Sequence, residues 1–352
     1  MAAEIEKLRK EIEQIDEEIV RLLSRRFQIV RELARLKHKL GLPVYDPARE
    51  EDVRKRWLAS AEQHNVPREI ARSIVDTILS YSKILQVVDR VSKKWRDRIS
   101  ILIVGSGNMG KTLFRMFSMF NLKTSIVPAR TALQHLGNVL DYDYVIFATR
   151  SDYFYTDTFR ELLRRFRKGT VISDILSVKT PYFSHIENVV KEHGHYFVST
   201  HPLFGPLDIA VGETIVLIPS ASCCPKETAN TIAELYADVG LQVVTLSSPE
   251  EHDELMSIIQ VAHHLHYLSL MKFLSEHSKK KNIDLKKLCT HSLRQTIQKL
   301  ERFRQLLTTI IEIQLENKYA KEVRKSVLDL MTRLVSCLDS AQNVEEGLKC
   351  VE

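Results

Sequence analysis

Apolar residues recur every three or four positions from residue 4 to about residue 40. Ile5, Leu8, Ile12, Ile15, Ile19, Leu22, Leu23, Ile29, Leu33 and Leu36 draw a wide stripe along one face of a single long predicted helix. Gly41 and Pro43 end the pattern, and Asp46-Pro47 reads as an N-cap followed by proline at the first helical position. A second helix is predicted to about His64. Pro67 opens a third, with Ile70, Ile74, Ile78, Ile84 and Leu85 turned inward. Three helices, one of them very long, make a poor core for a single chain, so this unit is expected to complete its core by dimerising. Between Lys83 and Arg98 the third helix fades into a charged joint, VSKKWRDR.

At Ser100 the period changes. Ile101 to Val104 form an apolar run that leads into Gly105, Gly107 and Gly110 in SILIVGSGNMG, and a helical pattern resumes in KTLFRMFSMF. The order is strand, tight turn, helix. Gly105 permits the turn, Gly107 lets the backbone approach a pyrophosphate, and Gly110 lets helix and strand pack closely. With Ser106, Asn108 and Met109 they form a candidate dinucleotide cradle, the phosphates sitting on free N–H groups at the helix start. Further strands are predicted at Lys123–Val127, 143–150, 170–179, 195–206, 213–219 and 242–247, after which the pattern is helical to the end. The predicted architecture is therefore multidomain: an all-α unit (1–95), an α/β Rossmann-like unit (96–248) and an all-α C-terminal unit (249–352).

Ligands bind at the carboxyl ends of parallel strands, so Thr149, Ser177, Lys179 and His201 are expected to line one cleft. His201 stands between a strand and a Pro-Leu-Phe-Gly-Pro turn that can hold it rigidly, which suits a general base beside a nicotinamide. After the second strand, where an acid usually holds the ribose of NAD, stands Pro128-Ala129-Arg130. Arg130 can meet a 2′-phosphate, so NAD or NADP is the expected cofactor.

Composition narrows the class. The chain has 352 residues, 44% hydrophobic and 27% charged, as in a globular protein of two or three domains. No apolar run could span a bilayer, and the charged start MAAEIEKLRKEIEQ does not look like a signal peptide, so a cytoplasmic location with no membrane partner is expected. Cys223, Cys224, Cys289, Cys337 and Cys350 have neither paired nor metal spacing, which reads as reduced thiols. The net charge of +6 could suit nucleic acid, but the basic residues are spread out. Small anionic substrates explain the charge equally well, and no nucleic-acid partner is expected. His263, His264 and His266 lack the carboxylate or cysteine partners of a metal site, so no metal is expected.

The polar residues of the first helices carry more. Arg26 and Lys37 share a helix face within about 20° and stand about 16 Å apart, so two cationic side chains could close on one small dianion. Arg9 lies about 25 Å from Arg26 and could reach that ligand only from a second subunit. Ser82 and Gln86 are an i, i+4 pair on the third helix, and Asp46, Arg49 and Glu50 cluster on the first turn of the second. Together Leu8-Arg9, Arg25-Arg26, Lys37, the PVYDPARE turn and Ser82 with Gln86 resemble the all-helical chorismate mutase family over residues 4–88. The resemblance implies an interlaced homodimer that rearranges chorismate to prephenate. In it Arg9 and Arg26 hold the carboxylates, with Ser82 near one of them. Lys37 and Gln86 bond the ether oxygen, Glu50 binds the ring hydroxyl, and Asp46 and Arg49 support it. The rate would come from preorganised electrostatics and selection of a compact conformer.

The remaining motifs resemble the prephenate dehydrogenase family. They are GSGNMG, the D-x-x-S-V-K run from Asp174 to Lys179, HPLFGP from His201 to Pro206, and E-H-D-x-x-M-x-x-I-Q from Glu251 to Gln260. Their order fits the fused mutase–dehydrogenase. The resemblance implies that His201 accepts the ring hydroxyl proton while hydride passes to NAD or NADP and carbon dioxide leaves, giving 4-hydroxyphenylpyruvate on the route to tyrosine. It implies Arg294 as the arginine for a substrate carboxylate, His264 near the substrate, a helical dimerisation domain at 249–352, and L-tyrosine as a feedback inhibitor acting through the substrate pocket or the dimer. In place of the proline and aromatic residue usual before that arginine the chain has Ser292-Leu293, and ATRSDY replaces a proline-containing loop. Two alternatives remain: arogenate as the substrate, or a regulatory protein with one degraded site.

Overall fold

In the computed structural model, which describes residues 2–40, 46–137, 140–285 and 287–351, the first stripe forms one unbroken helix of 38 residues, α1 (Ala2–Lys39). Gly41 and Pro43, the expected stop, lie outside the described residues. Asp46 caps α2 (Pro47–Gln63) by accepting the Arg49 N–H at 3.0 Å. The third helix, α3 (Arg68–Trp95), packs on both. The apolar stripe of α1 stays largely uncovered, with Ile12 and Ile15 each 58% exposed. Ile70 and Ile74 are also exposed, contrary to the inward placement expected from periodicity. Three helices offer no further layer to cover that face, so a single chain cannot bury it.

The joint after α3 also differs from expectation. The helix does not fade but runs to Trp95, and its last turns enter the next domain's core. Ile84, Val91 and Trp95 are buried with residues of the first sheet strand and of α8 (Lys226–Asp238). Lys94 bonds Glu234 at 2.5 Å and Asp238 at 2.6 Å, and Trp95 Nε1 donates to Asp238 at 2.9 Å. Burial of Val91 and Trp95 contributes on the order of 1.5–3 kcal/mol each, so the charged segment is a docked joint rather than a linker.

The middle of the chain alternates strand and helix: β1 (Ser100–Val104), α4 (Asn108–Met119), β2 (Lys123–Val127), α5 (Ala132–His135), β3 (Tyr144–Phe147), α6 (Asp157–Arg165), β4 (Val171–Asp174), α7 (Phe183–Glu192), β5 (Tyr196–Pro202), β6 (Thr214–Pro219), α8 and β7 (Gln242–Thr245). The sheet order is β2-β1-β3-β4-β5-β6-β7, with neighbours parallel except β5 against β6. Helices cover both faces, which is why β1 and β3 read as near-continuous apolar runs. Because β2 and β3 flank β1, the sheet grows in opposite directions from it. A crevice opens at that point, beyond the carboxyl ends of the strands. The register pairs Val104 with Phe147 and Phe147 with Asp174, so the residues after each face the same crevice edge.

The last third is helical: α9 (Pro249–Met256), a π-helical segment Ser257–Ala262, then α10 (His263–Lys281), α11 (His291–Arg304), α12 (Leu307–Glu316), α13 (Ala320–Ser340) and α14 (Val344–Lys349). Here the reduced-thiol expectation is corrected. The turn after α13 folds α14 back along it, bringing Cys337 and Cys350 to a Cα–Cα distance of 5.8 Å in a disulfide, while Cys223 and Cys224 are thiols.

Candidate active sites

The three glycines of the glycine-rich turn have different surroundings. Gly105 has φ +126°, and a Cβ there would stand 2.2 Å from the Ala148 carbonyl oxygen. At Gly110 a Cβ would stand 1.8 Å from the Gly105 oxygen, whereas one at Gly107 would meet nothing within 4 Å. Gly105 and Gly110 therefore hold strand against helix, and Gly107 opens onto the crevice. Helix α4 starts at Gly107 without a side-chain cap, leaving its first N–H groups for an anion.

Gly105, Ser106, Gly107, Asn108 and Met109 form one wall of a cavity of about 1240 Å³. Arg130, Thr149, Ser177, His201 and His264 also line it. Among the described residues, Thr149 Oγ1, Gln260 Oε1 and His264 Nδ1 are buried without a protein partner, and all three residues face this cavity. Orphaned polar atoms of this kind are what a bound polar ligand satisfies. The cradle and these atoms fit a dinucleotide: the uncapped start of α4 would hold its phosphates, and it would supply a hydride acceptor in the cavity that His201 also lines.

His201 is 2% exposed. Burial, then His252 and Lys179, hold its pKa well below the ordinary 6.5, so the ring is neutral at neutral pH. Burial, helped by His263, brings His264 to about 4. Lys179 does not line the cleft as expected. It is 1% exposed, its Nζ bonded to Asp174 at 2.6 Å and to the Thr200 carbonyl at 2.7 Å. The carboxylate of Asp174 inside the sheet draws the lysine inward, and Ser199 and Leu176 N–H complete the shell at 2.5 and 2.8 Å. Arg294 is exposed on α11 and is not in the lining of a single chain. Arg150, which the sequence reading did not single out, lines the cavity and pairs with Glu312 at 3.6 Å. It belongs to the ATRSDY loop, which forms a turn at Ser151–Tyr155.

Behind His201 runs a chain of contacts that the sequence did not reveal. Its Nδ1 lies 2.9 Å from His252 Nε2, and His252 Nδ1 lies 2.8 Å from Asp253 Oδ1. The signal was present in the E-H-D run, but nothing in sequence placed that run beside a strand 51 residues away.

In the helical domain, Arg26 Nη1 donates to Ser82 Oγ at 2.7 Å, Ser82 Oγ donates to the Ile78 carbonyl at 2.6 Å, and Gln86 Nε2 donates to the Ser82 carbonyl at 3.3 Å. Phe27 packs edge-on against Tyr81 with centroids 4.9 Å apart, fixing α1 to α3 beside them. Lys37 follows three turns beyond Arg26 on α1. Glu50 accepts Lys83 Nζ at 3.0 Å, a pairing the sequence reading did not anticipate. Asp46 is used as a cap. Arg49 is exposed and pairs with Asp52 at 3.6 Å. Arg9 stands far along α1, 70% exposed, with Glu6 at 3.7 Å. Arg26, Ser82 and Gln86 thus meet within one chain, and Arg9 does not join them.

A dinucleotide cradle at the sheet's switch point, with a buried neutral histidine in the same cavity, defines a nicotinamide-dependent dehydrogenase joined to a helical domain with its own cationic site. Comparisons with known proteins agree. Residues 8–87 match the family model of chorismate mutase type II, residues 126–245 the nucleotide-binding domain of prephenate dehydrogenase, and residues 248–349 its dimerisation domain. The chain is 31% identical over 86 residues to the chorismate mutase of Methanocaldococcus jannaschii, covering 24% of this chain and 87% of that protein. It is 23% identical over 265 residues to the T-protein of Enterobacter agglomerans, covering 75% of this chain and 69% of the relative. The prephenate dehydrogenase of A. aeolicus, solved with hydroxyphenyl propionate and NAD+, has a TM-score of 0.57 at 20% identity over 72% of this chain and 96% of that one. The chain belongs to the chorismate mutase family over residues 8–87 and carries both domains of prephenate dehydrogenase after it: it is a bifunctional enzyme of tyrosine biosynthesis, isomerase and oxidoreductase in one polypeptide.

Proposed function

We propose that chorismate is rearranged between α1 and α3, and that prephenate is then oxidised and decarboxylated in the crevice cavity. We assign residues 1–95 to the mutase, 96–248 to the nucleotide-binding domain and 249–352 to the dimerisation domain. In the mutase, Arg26 and the partner subunit's Arg9 take the two carboxylates, with Ser82 orienting Arg26. Lys37 and Gln86 stabilise the negative charge that grows on the ether oxygen, and Gln86 donates at any pH because it is an amide. Glu50, held by Lys83, takes the ring hydroxyl, and Asp46 and Arg49 shape the turn that presents it. In the dehydrogenase, His201 takes the hydroxyl proton, and Ser177 lines the same cavity. A bound nicotinamide would accept the hydride from the carbon bearing that hydroxyl. His264 and Gln260 offer unpartnered polar atoms to the substrate. Arg294 requires the second subunit or a movement of α11 to reach it, while Arg150 is already in place.

The observation that carries this reading is that His201 and the glycine-rich turn open into one cavity. The test is His201→Asn. Prephenate and cofactor binding should persist, turnover should fall roughly 10²–10⁴-fold, and mutase activity should survive. Loss of cofactor binding would make His201 structural, and unchanged turnover would move the base elsewhere.

Arg130, at the cavity wall after β2, supports acceptance of NADP as well as NAD. Arg130→Ala should then weaken NADP much more than NAD, and equal loss for both would refute this. We further propose a homodimer, a cytoplasmic location and prephenate rather than arogenate as the substrate. L-tyrosine, as an analogue of the product, would compete in the same cavity.

A further inference from the structure

The contacts behind His201 have a direction. Asp253 is fully buried, and its Oδ1 accepts the Lys179 N–H at 2.9 Å while Oδ2 accepts the Thr180 N–H at 2.8 Å. Burial raises its pKa, but the bonds from His252, Thr180 and Lys179 outweigh burial and hold it below the usual carboxylate value. An ionised carboxylate only accepts, so the proton between Asp253 and His252 belongs to His252 Nδ1. Burial keeps His252 below its ordinary pKa despite the pull of Asp253, so the ring is neutral and its Nε2 carries a lone pair. That lone pair stands 2.9 Å from His201 Nδ1. Two lone pairs cannot face each other at that distance, so His201 Nδ1 carries the proton. Nε2, the other ring nitrogen, is left as the free base.

We infer that His252 and Asp253 are positioning residues that fix the catalytic tautomer of His201. The inference rests on His201 being the base. The second task of the pair follows once His201 takes the substrate proton. The Nδ1–H bond to His252 then becomes charge-assisted, with Asp253 behind it to balance the cation. Among the described residues, the other charges that act on the pair are Lys179 and Asp174, bound to each other at 2.6 Å. The arrangement spans two domains: His201 is on β5, and His252 and Asp253 are on α9. Asn317 at the end of α12 donates to the Asp253 carbonyl at 2.7 Å and anchors that end.

The first test needs no variant. In the full-length protein labelled with ¹⁵N-histidine, the His201 signals, assigned by their loss in His201→Asn, should show a protonated Nδ1 and an unprotonated Nε2 at neutral pH. The opposite tautomer overturns the inference. The second is kinetic. His252→Phe keeps the ring but removes both nitrogens, and should cost about 10²-fold in dehydrogenase kcat, at the lower end of what a positioned base supplies. KM for prephenate and for cofactor should stay within about twofold, as expected when only transition-state stabilisation is lost. His252→Gln, which can still accept from His201 Nδ1, should recover much of the loss. A His252→Phe enzyme with unchanged kcat, or a Gln variant no better than Phe while cofactor binding and Tm show both folded, overturns the inference. If His201→Asn itself retains full turnover, it is the assignment of the base that fails.

Discussion

Several histidines in this protein are kept as neutral rings by full or partial burial, and that has a cost in acid. His201, His252, His195 and His264 all have pKa values lowered from 6.5, in each case first by burial, and His264 lies at about 4. Between 6.5 and those native values, the unfolded chain binds protons that the folded chain refuses. Stability therefore falls as pH drops through that window, and the contribution of the neutral rings is fully present only above 6.5. Thermal denaturation should show Tm declining from about pH 7 to about pH 5, before most carboxylates titrate. A Tm that is flat or rises over that interval would contradict the burial described here. The place of His201 on the cavity was readable in the sequence because the carboxyl end of a strand in a parallel sheet faces the crevice. Its partners were not, since Glu251, His252 and Asp253 follow Ser248-Pro249 and look like the acidic first turn of an ordinary helix. Lys179 was misplaced for a related reason: a lysine after a strand gives the same signal whether it faces a ligand or a buried aspartate.

At the scale of elements, the strand–turn–helix unit was legible because glycine spacing and flanking periodicity agree, and the structure separates what each glycine does. Gly107→Ala should leave folding intact, since its Cβ meets nothing within 4 Å and φ is −67°, but it should raise the cofactor KM by filling the phosphate approach. Gly110→Ala should lower Tm and cofactor affinity together, because its Cβ would stand 1.8 Å from a backbone oxygen. Equal Tm for the two variants, with equal KM, would contradict the assignment. Helix continuity was less legible. Periodicity in α3 could not show that its last turns serve the neighbouring domain's core, because apolar residues look the same whichever partner covers them. The π-helical segment was invisible for the same reason, yet it holds Gln260, whose orphaned oxygen faces the cavity. Such segments often mark functional sites.

At the scale of the molecule, one chain leaves work undone. The stripe of α1 is exposed along its length, and Arg9 stands apart from Arg26, Ser82 and Gln86. Both facts follow if two copies of α1 and their packing partners interlace. Arg9→Ala and Lys37→Ala should each lower mutase turnover by orders of magnitude. Mixing the two variants with subunit exchange should restore part of it, since one site in a hybrid then has both cations. No recovery, with exchange demonstrated, would place each site within one chain. The docked joint at Trp95 also means that the two domains share a helix: α3 packs on α1 and α2, and its later turns, with Ile84, Val91 and Trp95, belong to the dehydrogenase core.

The central claim is that this one chain performs two consecutive reactions. It is tested most directly by giving the purified protein chorismate as sole substrate with NAD+ or NADP+ and following the absorbance of reduced cofactor. Reduced cofactor should appear after a lag while prephenate accumulates. His201→Asn should stop it with prephenate formation intact, and Lys37→Ala should stop it unless prephenate is supplied. Formation of prephenate without any cofactor reduction by the parent protein, under both cofactors, would contradict the account.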